Sequence, residues 1–225
     1  PARPKFVMLG KSYVGKSSLV MRLLTDAFRE YLQPTQADFY TCKRTIGDRI
    51  IHFDLWDTAG QERFKSLLPM YTRDAIVAVI VFDVNDPLSL EAAVTQLKEN
   101  SKLPILALVA NKVDMLQDPE NDPLILEAKK QADALNANFF LTSAKTGVGV
   151  SKLFDSLALA AAKLAAKPGD PGFDEPAASG SKPVNRYDRV DLAAGANAGT
   201  GAKSSRCWSP WSWWSSSSSD SVSED

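Results

Sequence analysis

The sequence predicts an α/β fold: a six-stranded, mostly parallel sheet with helices on both faces, followed by a disordered tail. Three observations predict it. Short, continuous apolar runs at residues 5–9, 75–84 and 104–110 read as strands buried on both sides. Helical patterns alternate with those strands, which is the order that builds a parallel sheet between two helical layers. After Pro168 all periodicity ends and Gly, Pro, Ala, Ser and Asp dominate. The chain therefore divides into a domain over residues 1–167 and a tail over residues 168–225.

Each element has its own warrant. Residues 5–9 form a strand that stops at Gly10, and residues 16–27 then read as a helix. Residues 38–46 and 49–57 are two β-rich runs joined by Gly47-Asp48, the signature of a hairpin. Residues 75–84 are a continuous run rich in β-branched residues and suit a central strand. A helix over 88–100 and a strand over 104–110 follow. The helix over 123–136 starts with Asp122 as N-cap and Pro123 at its first position. Residues 138–142 make the last strand. Val150, Leu153, Phe154, Leu157, Ala158 and Ala161 form the apolar stripe of the last helix. In sheets of this kind ligands bind beyond the carboxyl ends of the strands.

Composition bounds the function. The chain has 225 residues, 44% hydrophobic and 24% charged, which suits one soluble domain and a tail. A net charge of -1 argues against a nucleic-acid protein, which needs a basic face. Cys42 and Cys207 are far apart, so no disulfide framework is implied and a reducing, cytoplasmic compartment fits. No apolar run reaches the roughly 18–20 residues that span a bilayer, and no signal peptide opens the chain. It begins at Pro1, as a processed end or a fragment would.

The chemistry is concentrated in GKSYVGKS, residues 10–17, which fits G-x-x-x-x-G-K-[ST] between a strand and a helix. The backbone N–H groups of Ser12, Tyr13, Val14, Gly15, Lys16, Ser17 and Ser18 can wrap a phosphate. The start of the following helix adds its positive end. Lys16 supplies a point charge, and the Ser17 hydroxyl suits Mg²⁺. NKVD, Asn111 to Asp114, ends a predicted strand, and SAK, Ser143 to Lys145, ends the next. The Asp114 carboxylate can accept from both N1–H and the 2-amino group of guanine, a donor pair that adenine lacks.

Over about residues 4–166 these motifs resemble the small GTPases, P-loop NTPases with a small G domain. DTAGQERF, residues 57–64, is the most specific stretch, and SLLPMYTRDA, residues 66–75, is similar to the early-endosomal Rab group. The resemblance implies GTP or GDP as bound nucleotide and Mg²⁺ held by Ser17, Thr35 and Asp57. It implies that Phe28 packs against the guanine. Asn111, Lys112 and Asp114 would read the base, helped by Ser143, Ala144 and Lys145. Thr35 and Gly60 would contact the γ-phosphate, and Gln61 would orient the attacking water. Phe39, Trp56 and Tyr71 would face effectors, although periodicity alone favours a core role for them. The implied partners are an exchange factor, a GTPase-activating protein and Rab effectors. The implied setting is a monomer, cytoplasmic or peripheral on endosomal or vesicle membranes. His52 is expected to face solvent from its strand.

Two features depart from that pattern. PTQADF, residues 34–39, is one residue shorter than the T-I-G-x-D-F type. A one-residue slip reverses the face of every side chain in a strand, so the place of Phe39 turns on the register. The shortened segment also leaves open a non-cycling GTP- or GDP-binding module with altered effector recognition. The second departure is the tail. Rab proteins resemble one another in ending on prenylated cysteines, whereas Cys207 is followed by eighteen residues ending in SVSED. From Pro168 onward there are five Lys/Arg and eight Asp/Glu, so this is not a polybasic arm. Two readings stand. In one, acylation of Cys207 with insertion of Trp208, Trp211, Trp213 and Trp214 provides an anchor. In the other, the tail is unstructured or a misread end of the gene.

Overall fold

A computed structural model describes residues 3–30, 37–58 and 68–165. Thr35, Gly60, Gln61, Cys207 and the tail tryptophans lie outside the described residues. The elements in order are β1 (Lys5–Leu9), α1 (Lys16–Thr25), β2 (Ala37–Ile46), β3 (Arg49–Thr58), α2 (Leu68–Thr72), β4 (Val77–Asp83), α3 (Pro87–Glu99) and β5 (Ile105–Asn111). A 3₁₀ turn at Val113–Met115, α4 (Pro123–Ala134), β6 (Asn138–Leu141) and α5 (Val150–Ala165) complete the series.

The six strands form one sheet in the order β2-β3-β1-β4-β5-β6. Only the β2–β3 pair is antiparallel; β1 pairs in parallel with β3 and β4, and β5 with β4 and β6. Two residues, Gly47 and Asp48, make the β2–β3 turn, and Gly47 takes a φ of 58°. Positive φ at the first central position matches the twist of the two strands, and glycine adopts it without a Cβ penalty.

The alternation along the strands sorts the helices onto the two faces. Phe6 and Met8 of β1, Val77, Val79 and Val81 of β4 and Phe53 of β3 pack under α1 and α5. Val7 and Leu9 of β1, with Ala78, Ile80 and Phe82 of β4, pack under α3 and α4, joined by Tyr71 of α2. Both faces of β1 and β4 are thus buried, which is why their sequences read as unbroken apolar runs. The α5 stripe is fully used: Val150, Leu153, Phe154, Leu157, Ala158 and Ala161 are all buried. Burying each large side chain of this kind contributes about 1.5–3 kcal/mol.

Helix ends differ from the sequence expectation for identifiable reasons. α1 was expected to reach Ala27 and stops at Thr25, because Asp26 enters the left-handed region at φ 51° while its N–H bonds to the Arg22 carbonyl. α4 stops at Ala134 rather than Asn136, and Asn136 is also left-handed, at φ 51°. Its start is as expected: the Asp122 carboxylate accepts from the N–H groups of Leu124 and Ile125. α2 was not foreseen; it is a single turn with no periodicity to read. Arg44, on the face of β2 that also carries Cys42, is buried and donates from Nε to Asp155 of α5 at 2.7 Å.

Candidate functional site

The loop from Gly10 to Gly15 leaves the carboxyl end of β1 at the middle of the sheet. Its shape depends on residues that tolerate positive φ. Gly10 has φ 133°, and a Cβ there would sit 2.3 Å from the Val81 carbonyl oxygen of β4. Gly15 has φ 97°, and its Cβ would sit 2.3 Å from Asn111 Nδ2. Each glycine is needed both for its dihedral and for the close approach of a neighbour. Tyr13 takes a left-handed φ of 67° and is 83% exposed, which is uncommon for a bulky residue.

Lys16 begins α1, and its ammonium folds back across the loop. Nζ donates to the carbonyl oxygens of Gly10 at 3.0 Å and Lys11 at 2.9 Å. Burial pushes its pKa down to about 8, against the opposing pull of the Asp57 carboxylate. Asp57, near the end of β3, is also buried. Loss of solvent pushes its pKa up to about 6, while the Ser17 hydroxyl, bonded to its carboxylate, and the Lys16 charge pull it down. Asp57 Oδ1 is buried without a hydrogen-bond partner. Native structures seldom leave such an atom unsatisfied unless it serves an ion or ligand. An orphaned carboxylate oxygen beside a serine hydroxyl is a hard oxygen set, and it fits Mg²⁺.

The second half of the site lies beyond β5 and β6. Asn111 is buried and ties three segments together. Its Nδ2 donates to the Val14 carbonyl at 2.9 Å, and its Oδ1 accepts from the Ala144 N–H at 3.2 Å and the Thr142 hydroxyl at 3.3 Å. Lys112 adopts φ 67° and its ammonium pairs with Asp83 at the end of β4 at 2.5 Å. Asp114 accepts from the Ser143 hydroxyl at 2.5 Å, which fixes one carboxylate oxygen. The Ser143 hydroxyl also accepts from the Thr146 N–H at 3.0 Å and so shapes the turn around Ala144 and Lys145.

The structure therefore brings Lys16, Ser17, Asp57, Asn111, Asp114, Ser143 and Ala144 into one region at the carboxyl ends of β1, β3, β5 and β6. Phe28 lies past the end of α1 and is 38% exposed, so it is not a core residue. Two contributions were missed in the sequence. One is the tying role of Asn111. The other is Arg22, in the last turn of α1, which donates to the carbonyls of Ala144 and Lys145. A basic side chain in the final turn of the helix after a phosphate loop was the available signal.

The three aromatics form a patch on β2, β3 and α2. Phe39 lies opposite Trp56 in the ladder, so both point to the same face. Their rings meet edge to face at 5.2 Å and 67°. Trp56 and Tyr71 centroids are 6.2 Å apart, and Lys5 Nζ lies 4.6 Å from the Trp56 ring. The shortened segment before Phe39 has not moved it to the other face. Tyr71 is buried, whereas Phe39 and Trp56 are half-buried. His52 is exposed on β3, as expected.

The sequence profile of the Ras family matches residues 5–163. The chain belongs to the Ras family of small GTPases. Among curated proteins, this small GTPase is similar to GTP-binding protein YPT53 of Saccharomyces cerevisiae, 41% identical over 162 residues covering 68% of this chain and 74% of that protein. It is 42% identical to GTP-binding protein ypt5 of Schizosaccharomyces pombe, covering 68% of this chain and 75% of that protein. It is 39% identical to Ras-related protein Rab-21 of Mus musculus, covering 67% and 69%. These relatives are consistent with a Rab of the early-endosomal group. Among the described residues of this small GTPase, no helix is long and apolar enough to cross a membrane.

Proposed function

We propose that this protein is a GTP-operated switch of endocytic vesicle traffic, built as a G domain over residues 1–167 and a tail over 168–225. The carrying observation is that Lys16 and Asp57 are both buried beside the Gly10–Gly15 loop, the Lys16 ammonium resting on the Gly10 and Lys11 carbonyls and Asp57 Oδ1 having no hydrogen-bond partner. Two such groups are costly to bury without compensation. A nucleotide polyphosphate with its divalent cation supplies the missing counter-charges to both.

In this reading Lys16 and the loop N–H groups grip the β- and γ-phosphates. Ser17 and Asp57, with Thr35, hold Mg²⁺, whose chemistry when bound is to neutralise charge on the phosphate oxygens. Asp114 selects guanine through its two donors, and Phe28 covers the ring. Gln61 orients the attacking water, and Thr35 and Gly60 sense the γ-phosphate, so its loss relaxes the segments that carry them. The chain's own cations leave the transition state short of positive charge, so an activating protein donates an arginine. Effectors read the Phe39–Trp56–Tyr71 patch in the GTP state, and an exchange factor resets it. The retained pairing of Phe39 with Trp56 favours this reading over a module with altered effector recognition.

Single-turnover hydrolysis of bound GTP tests the proposal. Phosphate release above buffer, accelerated by a Rab-type activating protein, is the expected result. No release even with activators would sink the switch. Lys16→Ala is expected to weaken GTP binding by at least about a hundredfold, since it removes a buried cation from the phosphates. Unchanged affinity would refute the loop assignment. For the endocytic role, the GTP-loaded protein should recruit to endosomal membranes more than the GDP-loaded protein; equal partition would refute it.

A further inference from the structure

We infer that Arg22 is a positioning residue that sets how long the guanine nucleotide stays bound, by clamping the two walls of the base site together. The inference rests on the guanine-nucleotide reading of this site. Arg22 projects from the last turn of α1 and its side chain is only 14% exposed. Nε donates to the Ala144 carbonyl at 2.8 Å and Nη2 to the Lys145 carbonyl at 2.6 Å. Nη1 donates to the Asp26 carbonyl at 2.6 Å and to its carboxylate at 3.2 Å. One planar fork thus binds two segments that meet nowhere in the sheet: the turn after β6 and the exit from α1.

In the guanine-nucleotide reading those segments flank the base. Ala144 and Lys145 follow Ser143, whose hydroxyl holds Asp114. Asp26 stands two residues before Phe28. Neither Asp26 nor the Ala144–Lys145 pair lies in a helix or strand; apart from the Asp26 N–H bond to the Arg22 carbonyl and the Ala144 N–H bond to Asn111, it is the Arg22 side chain that ties the two segments to each other. A base cannot leave until such walls part, and parting them breaks charge-assisted bonds from Arg22. Only a guanidinium can span both segments at once, because its donors are fixed in a planar fork; an ammonium is a single point. Arg22 touches no phosphate-loop carbonyl in this arrangement, so its effect belongs to the base side of the site.

The test is the release of fluorescent mant-GDP from the full-length protein into excess GDP. Arg22→Ala is expected to release at least about tenfold faster, the factor that one lost bond to a charged donor gives. Arg22→Lys should fall between that variant and the wild type. Preference for GDP over ADP should drop by a similar factor in Arg22→Ala, because adenine does not use this wall. Asp155→Ala, which breaks an ion pair away from the base, serves as the stability control and should release at the wild-type rate despite a lower Tm. Wild-type release from Arg22→Ala would overturn the inference. So would an Asp155→Ala protein that releases as fast as Arg22→Ala at equal Tm. If Arg22→Ala does not fold, wild-type rates in both Arg22→Lys and Arg22→Gln overturn it equally. A wild-type protein that retains no guanine nucleotide overturns the underlying reading instead, and the two failures are distinct.

Discussion

Replacing Asn111 by alanine should disconnect the phosphate half of the site from the base half. The side chain is buried, and its three partners sit in two segments, Val14 in the phosphate loop and Thr142 and Ala144 after β6. Alanine leaves the Val14 carbonyl and the Ala144 N–H facing each other across a gap that neither can close. A buried polar group left without a partner costs about 1–3 kcal/mol. Two of them give about 2–6 kcal/mol, with about 4 as the centre of the range. Spent on ligand binding, about 4 kcal/mol is roughly a thousandfold weaker GDP affinity. Asn111→Asp separates the two ends of the amide. It keeps an acceptor for Ala144 and sets an oxygen against the Val14 carbonyl, so it should bind no better than Asn111→Ala. Competition against mant-GDP gives the affinity, and thermal unfolding without nucleotide gives the share carried by the fold. A loss below tenfold in affinity with an unchanged Tm would refute the reasoning. An aspartate variant much tighter than the alanine variant would show that the Val14 bond carries none of the effect.

Two further outcomes follow from burial elsewhere. Asp155→Ala leaves the Arg44 guanidinium buried with one strong partner fewer, and should cost about 2–3 kcal/mol, less than a wholly buried pair because Asp155 is partly solvated. That corresponds to a Tm about 5–10 °C lower by calorimetry; an unchanged Tm would mean that the pair contributes nothing. Cys42 is buried, and loss of solvent pushes its thiol up to about 12 from 9.0. The folded chain therefore holds this proton through the range where the unfolded chain releases it. Its contribution to stability is complete below about pH 9 and fades between about 9 and 12. Iodoacetamide at pH 8 should leave Cys42 unmodified in the native protein and label it after denaturation. Labelling of the native thiol at the denatured rate would contradict its burial.

Much of the fold was legible because its strands obey simple patterns. β1 and β4 are covered on both sides, and their apolar runs announce it. β2 and β3 alternate and are joined by a glycine turn. α4 carries its own start signal in Asp122-Pro123. What could not be read was decided by single residues or long-range contact. The ends of α1 and α4 hang on Asp26 and Asn136 turning left-handed, which neither residue type dictates. α2 is one turn, too short for a period. In the site, the glycines and lysine of the phosphate loop were legible because their spacing is local. Arg22 was not, because its partners Ala144 and Lys145 are more than a hundred positions away. Asn111 does end its strand, but a sequence cannot say that its amide would face Val14. The register of β2 after its shortened approach could be settled only by the ladder, which sets Phe39 against Trp56.

The bonds from Val14 through Asn111 to Ala144, and from Ala144 through Arg22 to Asp26, form one continuous chain around the pocket. Its consequence is mechanical coupling: a change at any one member is passed to the others through shared hydrogen bonds. The aromatic face on β2 and β3 stands apart from the chain, on the rim of the sheet. That chain and the Phe39–Trp56–Tyr71 face share no residue, so under the proposed function the hold on nucleotide and the choice of partner can be altered separately.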